Sequence, residues 1–191
     1  MLRRITTLSG VVAVFLICAF LPLDAREVSS YFSTSWTSFR DELPSDYILS
    51  MDFDKYGRLW IGTENGMASF DGMVISKYMR GTGAVSGNEL NAVLADKFYD
   101  RVWFATKRDG LGFYDLSTGN SVFFRHDNAN PNSPLSDEIT CLRQDDAGNI
   151  WFGTYTEGVG KYDVETGTFT AFCPRNVVGM AEGNVRCIEL A

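Results

Sequence analysis

Histidine is almost absent from this chain of 191 residues: His126 stands alone. Imidazole chemistry therefore has one candidate, set in the polar stretch Arg125-His-Asp-Asn128 with no serine or cysteine nucleophile signature around it. Asp127 could orient the ring on paper, but a loop histidine with its hydrogen bonds satisfied is the simpler reading. Cysteine is scarce too, and no two of Cys18, Cys141, Cys173 and Cys187 have zinc-site spacing. No glycine-rich loop leads into a helix, which removes a phosphate cradle, and the alternating oxygen ligands of a calcium loop are missing. An excess of basic residues is lacking as well: the net charge of -7 argues against a nucleic-acid backbone as partner. The acidic balance is otherwise a statement about solubility. No metal, cofactor or catalytic residue is expected from these absences, and ligand-contacting residues are not legible.

Long apolar runs are missing with one exception. Val11 to Leu21 is unbroken, but it is about half of the ~20 residues that a membrane helix needs. With Arg3 and Arg4 before it and Pro22-Leu-Asp-Ala25 after it, residues 1–25 read as a secretory signal cleaved near Ala25, the alternative being an uncleaved anchor. Cys18 does not make a lipoprotein site, because Phe15-Leu-Ile17 lacks the small residues that should precede it. Export leaves Cys141, Cys173 and Cys187 in an oxidising compartment, where a Cys141–Cys187 bridge and unpaired thiols on inner strands are both open.

What is present is 45% hydrophobic and 14% aromatic residues, and a repeat. Ile48 to Asp71, Asn91 to Asp115 and Ile139 to Asp163 align on Trp60, Trp103 and Trp151. Gly62, Ala105 and Gly153 follow two places on, then Thr63, Thr106 and Thr154; Met51, Leu94 and Leu142 stand nine places before the tryptophans. Gly57, Asp100 and Gly148 occupy a shared turn position, and Asp54 and Asp145 align with Lys97. Cys141 and Cys187 align with Ser50 and Val93. Each copy closes on Phe70-Asp71, Tyr114-Asp115 or Tyr162-Asp163. Turn signals separate short apolar runs, as in Asp54-Lys-Tyr-Gly57 and Glu64-Asn-Gly66, and predict four antiparallel strands per copy, the fourth at Val74 to Met79 in the first. Repeats of this kind stack to bury their apolar faces, so the fold class is all-β, built of four-stranded propeller blades. Their fixed register makes Trp60, Trp103 and Trp151 packing residues between blades, while Trp36 lies outside it and reads as exposed. Asp71, Asp115 and Asp163 read as caps of hairpin turns.

The chain divides as follows. Residues 1–25 are the signal, and 26–47 an N-terminal segment with an outer strand around Ser33 to Phe39 that closes the last blade of a ring. Blades follow at 48–90, 91–138 and 139–184, and residues 185–191 open a fourth copy that is cut off.

The pattern Asp-x-x-Gly-x-(Leu/Ile)-Trp-(Ile/Phe)-Gly-Thr-x-x-x-Gly, with an aromatic-Asp pair at its end and the loop Asn132-Ser-Pro-Leu-Ser136 between copies, resembles the two-component regulator propeller repeat. The resemblance runs from about Ser33 to Ala191, with departures at Ala105, Asp100, Asn91 and Lys97. It implies a partial propeller of about three blades that forms the N-terminal piece of the periplasmic sensor of a hybrid two-component protein, with kinase activity in other domains. It further implies an oligosaccharide ligand, the remaining blades and domains of a longer chain as partners, and a homodimer when complete. Two other classes stay open: a secreted lyase-type propeller enzyme and a protein-binding scaffold.

Overall fold

The computed structural model describes residues 42–178, 180 and 182–190. The signal segment, Cys18, Trp36 and the strand expected around Ser33 to Phe39 lie outside the described residues. Twelve strands form three antiparallel sheets of four, each in simple sequence order. The first holds β1 (Ile48–Phe53), β2 (Leu59–Thr63), β3 (Gly66–Phe70) and β4 (Ile75–Tyr78); the second β5 (Leu90–Ala95), β6 (Arg101–Thr106), β7 (Leu111–Asp115) and β8 (Ser121–Phe124); the third β9 (Ile139–Gln144), β10 (Ile150–Thr154), β11 (Val159–Asp163) and β12 (Thr168–Phe172). The all-β, bladed architecture is the one expected from the repeat. Its one helical turn among the described residues is a 3-10 turn at Arg80–Thr82. Residues 185–190 form no strand: among the described residues they enter no strand ladder.

Strand register shows how the blades stack. Side chains alternate between faces along a strand. Trp60 lies opposite Asp52 and Ser69, and together with Met67 it faces the second blade, where Val85, Leu90, Val93, Val102 and Phe104 bury it completely. Trp103 faces the third blade in the same way, against Ile139, Leu142, Ile150 and Phe152. Each seam is thus one core, filled by a tryptophan from one side and by aliphatic residues and one phenylalanine from the other. Gly62 belongs to this seam: a Cβ there would meet Val93 Cγ1 at 3.0 Å, so the spacing Trp-x-Gly marks the closest approach of the next inner strand. The threonine after it closes the hairpin, Thr63 Oγ1 donating to the Gly66 carbonyl at 2.8 Å and Thr154 Oγ1 to Gly158 at the same distance. Val185 seats against Gly153 as Val93 does against Gly62, and its N–H donates to the Thr154 carbonyl.

The two outer faces of this stack are less covered. Met51 and Phe53 on β1 are 53% and 62% exposed, whereas Val93 and Ala95 at the same places of β5 are buried. Trp151 is half-buried rather than buried, lying parallel to Phe172 at 5.4 Å.

Candidate functional site

At the end of the blades that carries the β1–β2, β5–β6 and β9–β10 turns, a carboxylate holds each tryptophan. Asp54 Oδ2 accepts from Trp60 Nε1 at 2.9 Å and from Arg58 Nε at 2.8 Å. Asp145 Oδ2 accepts from Trp151 Nε1 at 2.9 Å and Asn149 Nδ2 at 3.0 Å. In the second blade the alignment on tryptophan predicts Lys97 at this place, but the structure puts Asp96 there, accepting from Trp103 Nε1 at 3.0 Å and Arg101 Nε at 2.6 Å. The reason is a longer turn. Gly57 and Gly148 take φ of 80° and 89° in the tight turns of blades one and three, while the second blade turns through Lys97 to Asp100 with one residue more and no glycine. The inner strand consequently slides by one against the alignment: Val93, not Leu94, matches Met51 and Leu142, and Ala92, not Val93, matches Ser50 and Cys141.

Asp96 is the most enclosed of the three. Its Oδ1 accepts from the Phe98 and Tyr99 amides and from Gln144 Nε2 of the third blade, and Gln144 Oε1 in turn accepts from the Lys97 amide. The Arg101 guanidinium lies over the Trp103 and Phe113 rings. Burial on its own raises the Asp96 carboxyl, and the bonds from Gln144, Arg101 and Trp103 outweigh it, so it titrates below its ordinary 3.8. Asp54 and Asp145 are lowered by the same balance. A depressed carboxylate stabilises the fold fully above its unfolded value and loses that contribution as pH falls through the folded one. The thermal midpoint is therefore expected to hold steady down to about pH 4 and to fall below it. A midpoint that fell between pH 8 and pH 6 instead would show that other groups control it.

The remaining recurrent carboxylates are hairpin caps, as expected. Asp71 accepts from the Met73 and Val74 amides, and Asp163 from the Thr166 amide and hydroxyl. Asp115 is bonded by the Ser117 hydroxyl and the Ser117 and Thr118 amides, which bring its pKa to about 2. Among the described residues no three His, Cys, Asp or Glu side chains are grouped to hold a metal ion.

The opposite end carries the long connections. Arg125 pairs with Asp109, and Asp137 accepts the His126 amide at 2.7 Å. The His126 ring is engaged within its own loop, Nδ1 against the Pro134 carbonyl at 2.7 Å and Nε2 against Asn128 Oδ1 at 3.3 Å. Cys141 is buried, Cys173 half-buried and Cys187 exposed, all three as free thiols.

Two concave features remain. A recess of about 320 Å³ is lined by Lys97, Arg143, Asp145 and Glu189. A larger groove of about 480 Å³ opens at the rim of the seam between the first two blades, lined by Lys77, Tyr78, Tyr114, Asn120 and Ser121. Of these rim residues the repeat marks Tyr114 alone, as the aromatic that closes the second copy; nothing in the spacing of Lys77, Tyr78, Asn120 and Ser121 distinguishes them.

Residues 42–65 and 133–156 match the family model of the two component regulator propeller. No curated protein matches. Among solved structures, the extracellular domain of BT3049 from B. thetaiotaomicron, named as a hybrid two component system, is 29% identical with a TM-score of 0.69, over 74% of this chain and 20% of that one. The extracellular domain of BT4673 from B. thetaiotaomicron, named as a one component system, is 20% identical with a TM-score of 0.56, over 72% of this chain and 20% of that one. A streptogramin B lyase shares the fold at 14% identity and a TM-score of 0.55, over 70% of this chain and 43% of that one. The chain thus spans about a fifth of the length of the first two. Repeat, blade geometry and family match agree: the chain carries matches to the two component regulator propeller at residues 42–65 and 133–156 and is similar to the extracellular domain of a hybrid two component system.

Proposed function

We propose that this chain is the N-terminal part of the periplasmic ligand-sensing propeller of a hybrid two-component signalling protein, exported by residues 1–25. The observation that supports it most is the likeness to the BT3049 extracellular domain, 29% identical over 74% of this chain, together with the two family-model matches. The ligand of this reading is an oligosaccharide, and the output is control of polysaccharide use. Its partners are the remaining blades and domains of a longer chain and, in the complete protein, a second copy; nucleic acid is not among those of this segment. Phosphotransfer belongs to domains other than this one. The likeness to a lyase supports a shared fold alone, and His126, held by Pro134 and Asn128, gives no separate support to elimination chemistry. Calorimetry of the complete periplasmic region against a panel of oligosaccharides tests the reading. Saturable binding of one glycan class is the expected result, and a panel without any heat of binding overturns it.

A further inference from the structure

The two seams can be compared place by place, because strand pairing fixes their equivalences. At the rim of the seam between the second and third blades, Phe123 and Phe124 end β8, and Phe169, the second residue of β12, lies opposite Tyr162. Three of these rings close on each other, Phe124 to Tyr162 at 5.0 Å, Tyr162 to Phe169 at 4.8 Å and Phe124 to Phe169 at 5.4 Å. At the rim between the first and second blades the same places hold Lys77, Tyr78, Ser121 and Tyr114. Tyr78 and Tyr114 still meet, at 5.0 Å, but where the other seam has the Phe169 ring this one has the small Ser121. The groove of about 480 Å³ lies there.

The missing ring leaves the groove open at this place, and its walls carry polar groups. The Lys77 ammonium, the Tyr114 hydroxyl and the Asn120 amide have no hydrogen-bond or ion-pair partner among the described residues. The groove is also held in shape: Ser121 Oγ donates to the Ala84 carbonyl at 2.6 Å, and Tyr78 is packed on Trp60 at 5.2 Å, its hydroxyl 3.3 Å from Ser69 Oγ. A ligand that suits it needs a ring that packs against tyrosine, hydroxyls for the amide and the phenol, and an anionic group for the ammonium. We propose that this rim groove binds an acid-bearing sugar ring, of the hexuronic acid class. The ligand class is in line with the saccharide reading above, on which it rests, whereas the location follows from this chain's own two seams.

Glucuronate is the probe, with glucose and acetate beside it, titrated into the isotope-labelled chain while amide resonances are followed. Saturable shifts at Tyr78, Tyr114, Gly119 and Asn120 are expected with glucuronate, weaker ones with glucose and none with acetate. Tyr114→Phe and Asn120→Ala, each removing one hydrogen-bonding group, should weaken binding roughly 3- to 10-fold. Lys77→Met should remove the preference for glucuronate over glucose. Ser121→Phe restores the ring present at the other seam and should abolish binding. Acetate acting as well as glucuronate, shifts that map elsewhere, no shifts at all, or a Ser121→Phe chain that still binds would each overturn the proposal. If the complete region binds oligosaccharide while this groove stays silent, only the groove is lost; if the groove binds glucuronate while the complete region binds no glycan, the sensing reading fails by itself.

Discussion

Trp103→Ala is expected to lower stability by about 3 to 5 kcal/mol, the range for deleting a fully buried large aromatic. The ring is inaccessible to solvent and sits among Phe113 at 4.9 Å, Tyr162 at 5.5 Å and Phe124 at 6.3 Å. Its loss opens a cavity in the core that joins two blades and frees the Asp96 carboxylate of one donor. In a chain of this size the thermal midpoint should drop on the order of 10 °C. Trp151→Ala provides the comparison, since that ring is only half-buried and should cost clearly less. Denaturant melts of both variants check the argument, and equal losses would mean that seam burial does not decide what these tryptophans contribute.

Asp96→Ala is expected to have an effect of similar size for a different reason. The Asp96 side chain is 0% exposed and that of Arg101 12% exposed. Removing one partner of a buried pair leaves the other charge without compensation, which typically costs about 3 to 5 kcal/mol. Here the guanidinium already has one unpartnered buried nitrogen, and the substitution would also orphan Trp103 Nε1 and leave the Gln144 amide with the Gly148 carbonyl alone. Asp145→Ala removes the matching carboxylate where its side-chain partners are the neutral Asn149 and Trp151, and should cost on the order of 1 to 2 kcal/mol. Urea unfolding at neutral pH separates the two. A loss for Asp96→Ala no larger than that for Asp145→Ala would show that the ion pair adds nothing to the hydrogen bonds.

The blades were legible because tryptophan, glycine and threonine recur at a spacing that only the central hairpin of each blade sets. Where a blade varies outside that hairpin, counting from tryptophan misleads. The longer turn before Arg101 moves the clamp from Lys97 to Asp96, and with it the whole β5 register. A usable signal was present: an aspartate six or seven places before each tryptophan, with Arg58, Arg101 or Asn149 two places before it, donors suited to a shared carboxylate. The rim groove had no such signal. Ser121 is informative only as the absence of a ring, and that absence appears once pairing sets it opposite Tyr114 as Phe169 is set opposite Tyr162.

The slide of Trp60 and Trp103 always toward the following blade gives every seam a direction. One side supplies the indole and the other the apolar shelf. Contacts of this heterologous kind have no intrinsic stopping point: the same step repeated either returns on itself or winds into an open filament, according to the rotation at each step. Gly62 beneath Val93, with 3.0 Å for a Cβ, acts as a spacer between adjacent inner strands. Side-chain volume at such places differs between the seams, since the second blade carries the Ala105 methyl, paired with Ala92, where the first has Gly62, paired with Ser50.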